Sequence, residues 1–214
     1  VDLKVVDKLT PGQTNIGASL FQYYKPIRGE IYPTTGPVSG GTLVTATLDA
    51  PVQTHSARCK FGKTDVPAKV LNVTIQCVSP KVVDRLLPVL ISVNDHDFSS
   101  VGSFSFYNPY KVIRILPSEE VIAGSSIRIE MEGVVPTNTA CVFGRGQGVV
   151  AVALSNTTLS CIVPVHLQGN VSFSLTRNNV NFQVISQRLL VVKAILVSSV
   201  FPKKIFEGRP FDIT

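Results

Sequence analysis

Cys59-Lys60-Phe61-Gly62, then Asn72-Val73-Thr74-Ile75-Gln76-Cys77, then Pro80, is the stretch on which the reading of this chain turns, because it occurs twice. The second copy runs Cys141-Val142-Phe143-Gly144, Asn156-Thr157-Thr158-Leu159-Ser160-Cys161 and Pro164. Asn72 to Asn156, Cys77 to Cys161 and Pro80 to Pro164 share an offset of 84, while Cys59 to Cys141 is 82. The second copy has therefore gained two residues between its cysteines. Self-similarity at a fixed period of this size marks an array of like structural units.

Working outward, each copy opens in a similar way. Ile31-Tyr32-Pro33 leads to Gly40-Gly41, Ile115-Leu116-Pro117 leads to Gly124, and Val200-Phe201-Pro202 leads to Gly208. At the other end, Ser19-Leu20-Phe21-Gln22-Tyr23-Tyr24 resembles Ser103-Phe104-Ser105-Phe106-Tyr107. The expected organisation has four parts. Residues 1–25 are the last strands of a preceding unit, 26–110 and 111–194 are two complete units, and 195–214 begin a further one. The period predicts a parent chain that continues in both directions.

Composition sets the class. Apolar residues make up 44% and charged ones 16%, which excludes a disordered chain, and 15 Gly with 14 Pro punctuate runs rich in Val, Thr and Ile. β-branched residues suit a pleated, half-buried surface, and no stretch carries sustained apolar residues at helical spacing. The prediction is an all-β chain of sandwiches. The net charge of +6 is spread over scattered Lys and Arg, with only Lys203, Lys204 and Arg209 grouped, so no nucleic-acid footprint is expected, although an anionic-glycan partner stays open. No apolar run is long enough to span a membrane.

Pro, a single or paired Gly with Thr or Ser, an alternating strand, Cys-x-Phe-Gly, Cys-x-x-Pro and a closing aromatic strand together resemble the TIG (IPT) immunoglobulin-like domain. Gly36-Pro37-Val38-Ser39-Gly40-Gly41-Thr42 fits that pattern closely. The second copy departs from it: Gly124-Ser125-Ser126 lacks the glycine pair, and Leu189-Leu190-Val191-Val192 replaces the aromatic ending. The resemblance implies tandem immunoglobulin-like β-sandwiches of about 84 residues. Such domains occur in receptor ectodomains, in surface proteins and in some transcription factors.

Strand alternation puts Cys59 with Phe61, and Val73 and Ile75 with Cys77, on inward faces, and the second copy repeats this. Two inward cysteines per unit predict the pairs Cys59–Cys77 and Cys141–Cys161, the alternative being four reduced, buried thiols. Sequons stand at Asn72, Asn156 and Asn170. The same alternation places Asn72, Thr74 and Gln76 outward on their strand, so N-linked glycans are expected and no other cofactor is.

No catalytic or metal-binding constellation is found. His55, His96 and His166 sit at unrelated places in the period, and no C-x-x-C or G-x-S-x-G occurs. Gly144-Arg145-Gly146-Gln147-Gly148 lacks the ending of a phosphate loop and reads as a turn. Asn94-Asp95-His96-Asp97 offers oxygen ligands, but its counterpart Arg177-Asn178-Asn179-Val180-Asn181 has no carboxylate, so both read as polar hairpin tips. The connectors Tyr24-Lys25-Pro26 and Tyr107-Asn108-Pro109 are short and carry proline. The expected function is a non-enzymatic extracellular or cell-surface stalk, coat or filament. Its partners would be neighbouring repeats and other protein chains. The alternatives are a receptor ectodomain segment and, more remotely, a TIG domain of a DNA-binding factor.

Overall fold

Every regular element among the described residues is a strand, as the β-branched composition requires. The computed structural model describes residues 24–52, 54, 56–83, 85–194, 199 and 201, with the backbone alone at 5–6 and 14–15. The strands at 5–6 and 14–15, β1 (Val5–Val6) and β2 (Thr14–Asn15), pair antiparallel. The closing strand expected up to residue 25, the opening strand expected from 195 onward, and His55 fall almost wholly outside the described residues. Contact density divides the chain into two compact units. One holds 45–77, 88–102 and the described residues up to 32; the other holds 33–44, 78–87 and the described residues from 103 onward.

The first sequence block supplies β3 (Gly29–Tyr32), β4 (Thr35–Pro37), β5 (Leu43–Leu48), β6 (Arg58–Phe61), β7 (Thr64–Leu71), β8 (Thr74–Val78), β9 (Leu86–Ser92) and β10 (Ser99–Tyr107). Their hydrogen-bonded order is β3-β5-β8-β7-β6-β9-β10-β4. One long strand makes this row continuous: β7 pairs with β6 through Thr64–Pro67 and with β8 through Ala68–Leu71. Burial alternates as period-2 geometry demands, with Val44, Ala46 and Leu48 buried between more open neighbours on β5.

The glycine pair has a specific task. Gly40 and Gly41 have φ of 76° and 84°, which suits residues without a Cβ. The turn brings Gly41 N–H to the Ser79 carbonyl at 2.9 Å and Thr42 N–H to Ser79 Oγ at 3.0 Å. The opening motif is thereby fastened to the residues just after the second cysteine. The second block makes the same bond with one glycine: Gly124, at φ 86°, donates to the Val163 carbonyl at 2.9 Å, while Ala123 before it donates to the Val192 carbonyl as Val38 does to that of Tyr107.

That second block forms two sheets. β11 (Val112–Leu116), β13 (Ser126–Met131), β17 (Thr158–Ile162) and β16 (Val152–Ser155) make one; β12 (Glu120–Ile122), β19 (Phe182–Val192), β18 (Gly169–Thr176), β14 (Ala140–Phe143) and β15 (Gly148–Val150) make the other. Their inward residues share one core that includes Ile127, Ile129, Leu159, Phe173 and Leu189. Phe143 and Phe173 meet in it with ring centroids 5.3 Å apart. Pairing also locates the two extra residues. Phe61 pairs with Thr64 across a two-residue turn, whereas β14 and β15 are joined by a longer one. Val152 and Ala153 face Ser160 and Leu159, but Ser155 faces Thr158, so Leu154 is the second insertion, in a bulge. The strand that is continuous as β7 is thus broken into β15 and β16 at Ala151.

Candidate functional site: bridges, sequons and the 177–181 hairpin

The sulfurs pair as the strand alternation predicts. Cys59 on β6 bonds Cys77 on β8, and Cys141 on β14 bonds Cys161 on β17. Both Cα–Cα separations are 6.3 Å, within the span a disulfide needs, and all four residues are buried. The first bridge joins the two neighbours of β7; the second joins the two sheets of its block.

The sequons are all exposed, but alternation misplaces two of them. Asn72 is not on a strand: it occupies the β7–β8 turn at φ 55°, a left-handed conformation that Asn tolerates well. Val73, expected to be buried, is only half-buried in that turn. Asn156 likewise lies in the β16–β17 turn. The two turns are tied down alike, with Val52 N–H donating to the Asn72 carbonyl at 3.2 Å and Val135 N–H to the Asn156 carbonyl at 2.7 Å. Asn170 is the one on a strand, outward on β18 beside buried Val171.

Sequence reasoning treated 177–181 as a mere polar tip, and the structure gives it a job. Asn178, only 8% exposed, donates from Nδ2 to the Thr35 carbonyl at 2.6 Å and to Asn181 Oδ1 at 2.9 Å. Its Oδ1 accepts from the N–H groups of Val180 and Asn181, which closes the tip. Thr42 Oγ1 donates to Asn181 Oδ1 at 2.8 Å, and the Arg177 guanidinium lies 4.6 Å from the Tyr107 ring centre. The intervening segment is held as well: Gln183 accepts from Tyr110 N–H and donates to the Tyr110 carbonyl, each at 2.7 Å. Burial pushes the Tyr107 phenol up, with Arg177 opposing, and pushes the Tyr110 phenol up to about 12, with its hydrogen bond to Thr139 opposing. No sequence signal except the run of asparagines marked this hairpin.

The 94–97 loop spends much of its polar capacity on itself. Asn94 Oδ1 accepts from His96 and Asp97 N–H, and Asn94 Nδ2 donates to Asp97 Oδ2 at 2.8 Å. Asp97 and Asn94 also engage Tyr24, whose phenol is raised by burial and by the Asp97 charge. Among the described residues no group of three or more His, Cys, Asp and Glu is arranged to hold a metal ion. Gly144–Gln147 is the turn between β14 and β15, as its sequence suggested. No helix among the described residues is long and apolar enough to cross a membrane.

The opening turn, the buried Cys-x-Phe strand and the bridge to β8 all fall within the segment that matches a known family. Residues 26–107 match the IPT/TIG domain family. The glycine pair, Ser79 and the Cys59–Cys77 bridge all lie within this TIG-like segment, and the 177–181 hairpin bonds to its Thr35 and Thr42. Similar solved structures include the full extracellular region of plexin A4, domains 1 to 10, at 18% identity and a TM-score of 0.47, covering 77% of this chain and 16% of that one. A second plexin A4 structure, with domains 1 to 8, is 16% identical at a TM-score of 0.44 over 86% of this chain and 21% of that one. SGBP-B of the Bacteroides ovatus mixed-linkage glucan utilization locus, in complex with a heptasaccharide, is 14% identical at 0.32, covering 70% of this chain and 42% of that one. The chain thus spans about a sixth to a fifth of the plexin chains it is similar to.

Proposed function

We propose that this chain is a non-enzymatic segment of an extracellular or cell-surface protein, in which TIG-like repeats of about 84 residues act as a semi-rigid, glycosylated stalk, coat or filament. The observation that carries this reading is the pair of bridges, each closed inside its own sequence block between buried cysteines. Structural disulfides persist in oxidising compartments and are rare in the cytosol. A spacer must also resist bending at its joints. The bonds from Asn178, Asn181 and Gln183 to Thr35, Thr42 and Tyr110 restrict the connector through Pro109, whose ring already fixes one dihedral. The partners in this reading are neighbouring repeats of the same chain and other protein chains of the assembly.

Protease treatment of intact source cells tests the location. Peptides from 26–192 should be released without lysis, and their non-reducing maps should contain Cys59–Cys77 and Cys141–Cys161. Free thiols at all four positions, with peptides appearing only after lysis, would sink the reading.

A further inference from the structure

Between Arg145 and Arg177 the sequence contains no Asp, Glu, Lys or Arg. This interval supplies a free edge to each sheet of the second block: β15 ends the five-stranded sheet and β16 ends the four-stranded one. Edge strands present unpaired backbone groups that template pairing with another chain, and proteins blunt them with Lys, Pro or a cover.

Pairing shows which guards are missing. In the first block β7 carries Asp65, Pro67 and Lys69, opposite Lys60, Arg58 and Gln76. The residues opposite the matching positions Val142, Ala140 and Ser160 are Gly148, Val150 and Val152. Charge, proline and lysine have been replaced by glycine and two valines. Val150 is 76% exposed, Val152 61% and Leu154 54%. The Leu154 bulge and the shortness of β15 and β16 blunt this edge in part, but its exposed side chains stay apolar and uncharged and call for a cover of another kind.

Asn156 stands at the end of that edge. It follows β16 directly, is exposed, and its turn is fixed by the Val135 bond to its carbonyl, which brings 80%-exposed Val134 beside it. The third sequon residue, Thr158, starts β17. We propose that an N-linked oligosaccharide on Asn156 is the guard of the β15–β16 edge, lying over Val152, Leu154 and Val134 and blocking strand pairing with a second copy of this chain. The modification joins Asn156 Nδ2 to the anomeric carbon of an oligosaccharide carried on a lipid diphosphate; the diphosphate leaves and Nδ2 gives up one proton. The proposal rests on the secretory reading above. Asn72 has the same position relative to an edge that Pro67 and Lys69 already protect, so its glycan is dispensable for this purpose.

The test uses the whole chain secreted from glycosylating cells, with site occupancy read by mass after amidase treatment and self-association read by sedimentation. The wild type should carry glycan at Asn156 and stay monomeric across the concentration series. Asn156→Gln and Thr158→Ala, which removes the sequon but keeps the asparagine, should each associate at least about tenfold more tightly. Asn72→Gln should not. Adding Val152→Lys to Asn156→Gln should restore the monomer, and unchanged melting of each variant shows that folding is not the cause. Unglycosylated Asn156 beside glycosylated Asn72 overturns the proposal and leaves the secretory reading standing. So does a monomeric Asn156→Gln, or association that Val152→Lys fails to reverse. Absence of carbohydrate at Asn72, Asn156 and Asn170 together with free thiols overturns both.

Discussion

Asn178 gives its amide to the carbonyl of Thr35, at 2.6 Å, across 143 positions of sequence. The bond comes from a side chain that simultaneously closes its own hairpin, so the tip and the TIG domain's first turns are ordered by the same residue.

Asn178→Ala should destabilise the second compact unit by about 1–3 kcal/mol, because a part-buried carbonyl and two hairpin N–H groups lose their partner. Asn178→Asp separates the roles. Its carboxylate still accepts from Val180 and Asn181, but it no longer donates to Thr35 and it repels Asn181 Oδ1. Urea denaturation should report a loss in both variants, and backbone amide exchange at Val180 should rise only in the alanine variant.

Gly40 and Gly41 should differ sharply on substitution by alanine. Both have positive φ, which costs an alanine about 1–2 kcal/mol. At Gly41 nothing lies within 4 Å of the new methyl, so the cost stops there. At Gly40 the methyl would lie 2.6 Å from the Pro80 carbonyl carbon, so the turn must also move off Ser79. Thermal melts of the two variants should rank Gly41→Ala clearly above Gly40→Ala.

Replacing Cys141 and Cys161 together by alanine should cost roughly 3 kcal/mol, the loop-closure value for the 20-residue separation they bridge. The denaturant slope should change as well, because the unfolded chain gains freedom. An unchanged midpoint under non-reducing conditions would count against a stabilising bridge.

High pH should weaken the fold through Tyr110. Burial raises its phenol to about 12, while an unfolded tyrosine ionises near 10. Between those values the unfolded chain has released a proton that the folded chain keeps. Stability is therefore whole below pH 10 and falls as pH rises through 12, by on the order of 2 kcal/mol. Tyr110→Phe should flatten most of that slope, with Tyr107, also raised, leaving a remainder. Phenolate absorbance and urea midpoints at successive pH values measure both.

Strand class and cysteine pairing were legible because both depend on period-2 alternation, which the sequence displays openly at Cys59, Phe61, Ile75 and Cys77. Asn72 and Asn156 escaped the same rule because it holds only inside a strand, and both lie in the turn that separates two strands, Asn72 in the left-handed conformation. The insertion of Leu154 was visible as a length difference, but only pairing could put it in a bulge. The hairpin contacts of Asn178 and Asn181 join positions more than a hundred residues apart, and no local pattern encodes a partner at that distance. The glycine motif lay between these cases: its residues announced a turn, while the bond to Ser79 that explains the pair required coordinates.

The Cys59–Cys77 bridge encircles β7, since its ends lie on the two strands that flank it. Pulled from its termini, the first block can therefore never pay out the chain between those cysteines while the sulfurs stay joined. At about 3.4 Å per extended residue, the 18-residue separation withholds roughly 60 Å of contour length, and the Cys141–Cys161 bridge withholds a similar amount. Asn72 and Asn156 both sit inside these locked loops, so whatever they carry stays at the tip of a folded meander even in a stretched molecule. A reductant would act as a length control, releasing slack in steps of one loop at a time.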